Sequence, residues 1–192
     1  MAGQGQRTGE APRPLPVTGV RIIAGRWKGH GLKSVKGRHV RPTTDRVRES
    51  WFSALGDSVV DARVVDLFAG SGALGLEAAS RGASRVVLVE KARGPAGVIR
   101  SNIERLHAEE VCHLVVDDVF RFLRRGDESF DVALADPPYG SGDASRLVER
   151  YLDQPFAKEL WLEHPVREDL DLPDDARTRR YGDTALTTIW SP

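Results

Sequence analysis

The stretch Val64-Val65-Asp66-Leu67-Phe68-Ala69-Gly70-Ser71-Gly72-Ala73-Leu74-Gly75 decides the fold. It opens as an apolar run of strand length interrupted by one Asp. Glycines then fall at 70, 72 and 75, and an Ala- and Leu-rich segment continues through Arg81 to a terminating Gly82. That order predicts a buried strand, a tight turn and a helix. Without a Cβ, glycines let the backbone turn sharply there and approach a ligand closely.

Downstream, the same alternation repeats. Strand-like runs fall at 85–90, 112–116, 130–135 and 160–164, with helical patterns at 95–107, 120–123 and 144–152. Regular βαβ alternation predicts an α/β fold with a mostly parallel sheet and helices on both faces. Two last strand-like runs, 177–181 and 185–190, flank Gly182-Asp183-Thr184. Their hairpin would add an antiparallel strand at one edge.

Upstream, residues 1–19 are rich in Gly, Pro and Gln and read as a disordered tail. The β-prone stretches 20–24 and 31–35 flank Gly25-Arg26-Trp27-Lys28-Gly29, which predicts a small hairpin. Arg41-Pro42-Thr43-Thr44-Asp45 then reads as the start of a helix with Val47, Trp51, Phe52 and Leu55 on its apolar face. The expected organisation is a tail (1–19), a basic extension of hairpin and helix (20–60) and a catalytic α/β domain (61–192).

Charge follows this division. Residues 1–60 hold 11 Lys and Arg against four Asp and Glu, whereas residues 61–192 hold 17 against 24. A basic arm on an acidic body fits a polyanionic partner, with Arg26, Lys28, Arg41, Arg46 and Arg48 as candidate phosphate contacts. Trp27 could stack on a base or pack the hairpin onto the body. Cys112 is the sole cysteine, which excludes an internal disulfide, and the five histidines show no ligand spacing, so no bound metal is expected. No apolar run approaches the roughly 18 residues of a membrane span, and the N-terminus has no signal-peptide core. A cytoplasmic, monomeric protein is the expectation.

Four motifs at predicted strand ends carry chemistry. Gly70-x-Gly72-x-x-Gly75 suits a nucleotide cofactor but does not by itself separate NAD from S-adenosylmethionine. Glu90, fifteen residues after Gly75, can accept two hydrogen bonds from a ribose diol, as either cofactor requires. Asp118, after Asp117, can accept from an adenine amine or cap the next helix. Asp136-Pro137-Pro138-Tyr139 separates the alternatives. Its two prolines remove two N–H donors and leave carbonyl acceptors in a stiff loop, Asp136 adds acceptor capacity, and Tyr139 offers a flat face to a base. That set suits an amino group that donates hydrogen bonds; hydride transfer does not need it.

These residues resemble a known family. Residues 66–75 resemble the cofactor motif of class I methyltransferases, and Asp136–Tyr139 the [Asp/Asn/Ser]-Pro-Pro-[Tyr/Phe] motif of amino-group methyltransferases. Arg41-Pro42-Thr43-Thr44-Asp45-Arg46-Val47-Arg48-Glu49, with Arg21-Ile22-Ile23-Ala24-Gly25 before it, resembles the bacterial 16S rRNA guanine-N2 methyltransferases of the ribosomal small-subunit methyltransferase D type. The resemblance runs from about Val20 to Trp190. It implies a Rossmann-like seven-stranded sheet. Asp66, Ala69, Gly70, Gly72, Glu90, Asp118 and Asp136 would lie at S-adenosylmethionine, and Asp136, Pro137 and Tyr139 at the target base. The implied substrate is 16S rRNA or an assembling small subunit. Three alternatives remain: a DNA adenine-N6 methyltransferase, an NAD-dependent oxidoreductase and a non-catalytic RNA-binding assembly factor.

Overall fold

The computed structural model describes residues 19–35, 45–126 and 128–191, with side chains in the first helix from Val47 onward. Helix α1 (Asp45–Leu55) runs into a short 3-10 turn and strand β1 (Arg63–Leu67). Then follow α2 (Ala73–Ser80), β2 (Arg85–Val89), α3 (Arg93–Leu106), β3 (Cys112–Val115), α4 (Val119–Arg125), β4 (Phe130–Ala135), α5 (Asp143–Asp153) and β5 (Ala157–Pro165). The hairpin β6 (Arg177–Tyr181) and β7 (Thr184–Trp190) completes the described chain.

The seven strands form one sheet in the order β3-β2-β1-β4-β5-β7-β6. The first five are parallel; β7 runs antiparallel to both β5 and β6. Each central strand is buried on both faces. Val64, Val86, Leu134 and Trp161 join a core with Phe52, Leu76 and Ile99 on one side. Val65, Val87, Ala133 and Leu160 join a second core with Phe120, Leu147 and Tyr151 on the other. The nearly continuous apolar runs of these strands have this cause.

The C-terminal hairpin corrects one expectation. It adds two strands rather than one, and its second strand lies inside the sheet while its first forms the edge. Burial explains the inversion: β7 is buried at every residue but its last, whereas Arg177-Thr178-Arg179-Arg180 of β6 are exposed. An apolar strand gains by taking the two-sided position, and an arginine-rich one guards the open edge.

The N-terminal hairpin is also different from its expectation. Residues 20–35 form one isolated bridge, Arg21 to Gly31, rather than two strands. The reason lies in α2. The backbone N–H groups of Ile23 and Ala24 donate to the Glu77 carboxylate at 2.7 and 3.0 Å, and Trp27 N–H donates to Ser80 Oγ at 3.0 Å. Helix side chains thus satisfy donors that a partner strand would otherwise take. At Gly25, with φ +79°, a Cβ would lie 1.8 Å from the Ser80 carbonyl oxygen, so only glycine permits this approach. Ile22, Trp27 and Leu32 are buried in the first core, and packing is therefore continuous across residue 60, where the charge changes.

Candidate active site

Parallel sheets bind ligands at the carboxyl ends of their strands, beside the point where strand order reverses. Here that point lies between β1 and β4. Strand alternation aims Asp66, Glu90, Asp136 and Glu163 to the same face, because Val64, Leu88, Leu134 and Trp161, each two residues earlier, all join the first core. Four carboxyl groups from four adjacent strands therefore meet at one edge.

The loop after β1 is held from within. Phe68 has φ +63°, a left-handed conformation that is unusual for a bulky residue and recurs at ligand sites. Gly70 and Gly72 follow with φ +58° and +81°. Gly70 N–H donates to Glu90 Oε2 at 3.0 Å, and Ala92 N–H to Glu90 Oε1 at 2.7 Å. Gly75 N–H donates to Asp66 Oδ2 at 2.8 Å. A Cβ at Gly75 would stand 2.9 Å from Leu88 and 3.0 Å from that same oxygen, so glycine sets how closely α2 meets the sheet. Asn102 of α3, fully buried, ties the loop to the N-terminal segment by donating to the Ser71 and Lys33 carbonyls.

The field at this edge is negative. Burial pushes the Asp66 carboxyl up to about 7 against the Gly75 hydrogen bond, and Asp136 and Glu90 add to the rise. In the first turn of α2, where a dinucleotide would seat its pyrophosphate, the Asp66 carboxyl already takes the Gly75 N–H. A cationic ligand carrying a ribose diol fits this set of acceptors; an anionic pyrophosphate does not. The residues present thus fit S-adenosylmethionine, whose sulfonium and ammonium groups are positive, and disfavour NAD.

The loop after β4 brings the second motif to the same edge. Asp136 is half-buried, Pro137 buried, and Tyr139 44% exposed. The Tyr139 hydroxyl donates to Glu163 Oε1 at 3.3 Å and meets Thr184 Oγ1 at 3.0 Å. Burial first, then Glu163 and Asp136, raise its pKa against the Thr184 hydrogen bond. Ser141 takes the carbonyl of Pro138 rather than that of Pro137.

Asp118 caps α4, its Oδ1 accepting from the N–H groups of Phe120 and Arg121 at 3.0 and 3.2 Å. Asp117 pairs with Arg121 and Arg125. Two candidate RNA contacts are corrected by burial. Trp27 is 6% exposed, so its ring packs the core instead of offering a face to a base. Arg48 is 2% exposed and donates to the Arg21 carbonyl at 2.7 Å, which ties α1 to the N-terminal segment. Arg26 and Lys28 are exposed. Arg41 and the Arg46 side chain lie outside the described residues, as does the tail. A groove of about 710 Å³ between α1 and the β6–β7 hairpin includes Arg179 and Gly182, two residues before Thr184.

Sequence reading missed Glu163, Asn102 and Glu77. Glu163 and Glu77 carried a signal, a charged residue in an otherwise apolar segment of regular structure, whereas Asn102 sits among polar neighbours in α3 and carried none. Among the described residues no cluster of His, Cys, Asp and Glu could hold a metal ion, and no helix is long and apolar enough to cross a membrane. Cys112 is a buried thiol pushed up to about 12 by burial.

Comparison with known proteins bears on the family and the fold. Ribosomal RNA small subunit methyltransferase D of Escherichia coli is 40% identical over 123 residues, a match spanning 64% of this chain and 62% of that relative. A solved hypothetical protein of Thermus thermophilus superposes with a TM-score of 0.78 at 33% identity, covering 90% of this chain and 99% of its own. The Thermus thermophilus 16S rRNA N2 G1207 methyltransferase, solved with AdoMet and guanosine, shares the fold at 20% identity. Its TM-score is 0.63, over 82% of this chain and 45% of that one. A family model described as conserved hypothetical protein 95 matches residues 20–190. The chain belongs to that family, and within it to the ribosomal RNA small subunit methyltransferase D type.

Proposed function

We propose that this protein is an S-adenosylmethionine-dependent methyltransferase that modifies the exocyclic N2 amine of a guanine in 16S rRNA during small-subunit maturation. The observation that carries this reading is the position of Asp136-Pro137-Pro138-Tyr139. An acceptor-rich loop with an aromatic face stands next to a carboxyl-lined crevice in which Asp66 already takes the Gly75 N–H of α2. The N2 target rests on the family resemblance of the N-terminal motifs.

S-adenosylmethionine, when bound, supplies an electrophilic methyl group. The chain's residues do the rest. In this reading Glu90, which also holds Gly70 N–H and Ala92 N–H, accepts from the ribose hydroxyls, and Gly70 and Gly72 let the loop backbone approach. An exocyclic amine is a poor nucleophile because its lone pair is delocalised into the ring. Hydrogen bonds from that amine to the Asp136 carboxylate and the Pro137 carbonyl favour a pyramidal nitrogen with a localised pair. Asp136 then accepts the proton that the methylated nitrogen releases. Tyr139 bounds the base on one face. Most of the rate gain comes from positioning, a contribution that reaches about 7–11 kcal/mol in favourable cases. An unstacked loop base costs less to bring into such a pocket than a paired one. Exposed Arg26 and Lys28, with Arg41 and Arg46, are placed in the proposal at RNA phosphates, and the protein acts as a cytoplasmic monomer without metal.

Mass spectrometry of 16S rRNA nucleosides from cells lacking the protein tests this reading. Loss of one N2-methylguanine, restored by the wild-type chain and not by Asp136→Ala, is the expected result. An unchanged nucleoside profile refutes it.

A further inference from the structure

One buried carboxyl group at this site has no part in the proposed reaction. Leu162 of β5 pairs with Ala135 of β4 in parallel register. The next residues along the two strands, Glu163 and Asp136, therefore stand side by side at the sheet edge. Glu163 is 5% exposed, and its Oε2 is buried without a hydrogen bond. Oε1 accepts from the Tyr139 hydroxyl, which Thr184 of β7 holds from the other side. A buried carboxyl with an orphaned oxygen is costly unless it does something there.

We propose that Glu163 is a positioning residue of the transfer site, one that fixes the Tyr139 ring against the target base and borders Asp136 from the neighbouring strand. This rests on the methyltransferase reading above. The groups facing Glu163 are Asp136 and Tyr139 from the β4 loop, Thr184 from β7, and the Trp51 indole from α1. Trp51 is close enough to favour the ionised form but lies outside hydrogen-bond geometry. Burial and then Asp136 push Glu163 up to about 8, which favours its neutral form. In that state Asp136 is the negative charge of this pair beside the amine, and Tyr139 has an acceptor. Ionisation of Glu163 puts two carboxylates side by side, and their repulsion works against the Tyr139 hydrogen bond, which on its own favours the ionised form.

The test is single-turnover methyl transfer to small-subunit RNA, at saturating S-adenosylmethionine, across neutral to alkaline pH. Wild type is expected to lose rate as pH rises past about 8. In Glu163→Gln that alkaline fall disappears, because the amide cannot ionise. Glu163→Leu, which offers Tyr139 no acceptor, is expected to lose roughly tenfold or more at every pH. Glutamine should recover much of that loss, while calorimetric affinity for S-adenosylmethionine stays unmoved in both variants. A Leu variant as active as wild type, or a Gln variant that keeps the alkaline fall, overturns the role of Glu163. No transfer by the wild type overturns the reaction itself, and Glu163 with it.

Discussion

The two loops that meet at the crevice are built on different scales. In the loop after β1 the supports at the glycines are close in sequence: Gly75 to Asp66 spans nine residues and Gly70 to Glu90 twenty, and Asn102 adds one from α3 to Ser71, thirty-one residues away. Strand, turn, helix and next strand form one βαβ unit that carries its own hydrogen-bond partners. In the loop after β4, Tyr139 reaches Glu163 across 24 residues and Thr184 across 45. Its shape depends on the β4–β5 pairing and on a hairpin at the far end of the described chain. The cofactor side can thus assemble locally, whereas the base side exists only once the sheet is complete.

The sharpest break between the two comes from Asp136→Ala. Methyl transfer should fall to background while calorimetric affinity for S-adenosylmethionine changes by no more than about threefold, since positioning of the amine is what the carboxylate supplies. Full activity in the purified variant would remove Asp136 from the chemistry.

Glu90→Ala probes the other loop. Cofactor affinity should weaken by roughly tenfold or more, from lost charged hydrogen bonds to the ribose. The variant also frees Gly70 N–H and Ala92 N–H, so the loss should be larger than for Glu90→Gln. Equal affinity in wild type and both variants would mean that Glu90 only shapes the turn.

Glu163 separates the loops by pH. Its folded-state pKa, about 8, lies above the ordinary 4.5, so the neutral form is favoured by folding. The wild type must therefore lose stability as pH rises from about 4.5 to about 8, and no further from this group above that. Glu163→Gln lacks this loss. Its melting temperature relative to wild type should climb across that window and then level off; a constant difference would show that Glu163 ionises freely.

The smallest effect is expected far from both loops. Truncation is no test of the basic arm, because Ile22, Trp27 and Leu32 would leave the core with it. Reversing exposed Arg26 and Lys28 to Glu keeps that packing. Each phosphate interaction removed should flatten the log–log salt dependence of RNA binding by about 0.7–0.9. Parallel slopes would place the RNA elsewhere.

This difference in scale governs what was legible. The β1 loop could be read from twelve consecutive residues, because a strand, three glycines and a helix leave few conformations open. Asp136 was legible for the same reason, as two prolines stiffen the loop that follows it. The polar break at Glu163 could be seen but not its role, since that comes from standing beside Asp136, and strand pairing is invisible in a string of residues. Trp27 and Arg48 misled in the opposite direction: each belongs to a type that binds nucleic acid when exposed, and each is buried. The hairpin order β5-β7-β6 likewise depended on which strand was apolar enough for the interior, a competition the hairpin signal does not state.

By itself, the sequence determined the βαβ alternation, the glycine turn and the acceptor loop, because periodicity, backbone sterics and proline geometry act within a few residues. The tertiary structure alone decided that Glu77 and Ser80 would hold the N-terminal segment, that Asp66 would take the Gly75 N–H of α2, and that Glu163 would be buried beside Asp136. Those outcomes turn on burial and on pairing between distant segments, and both are settled when the sheet closes, by which groups are left without water.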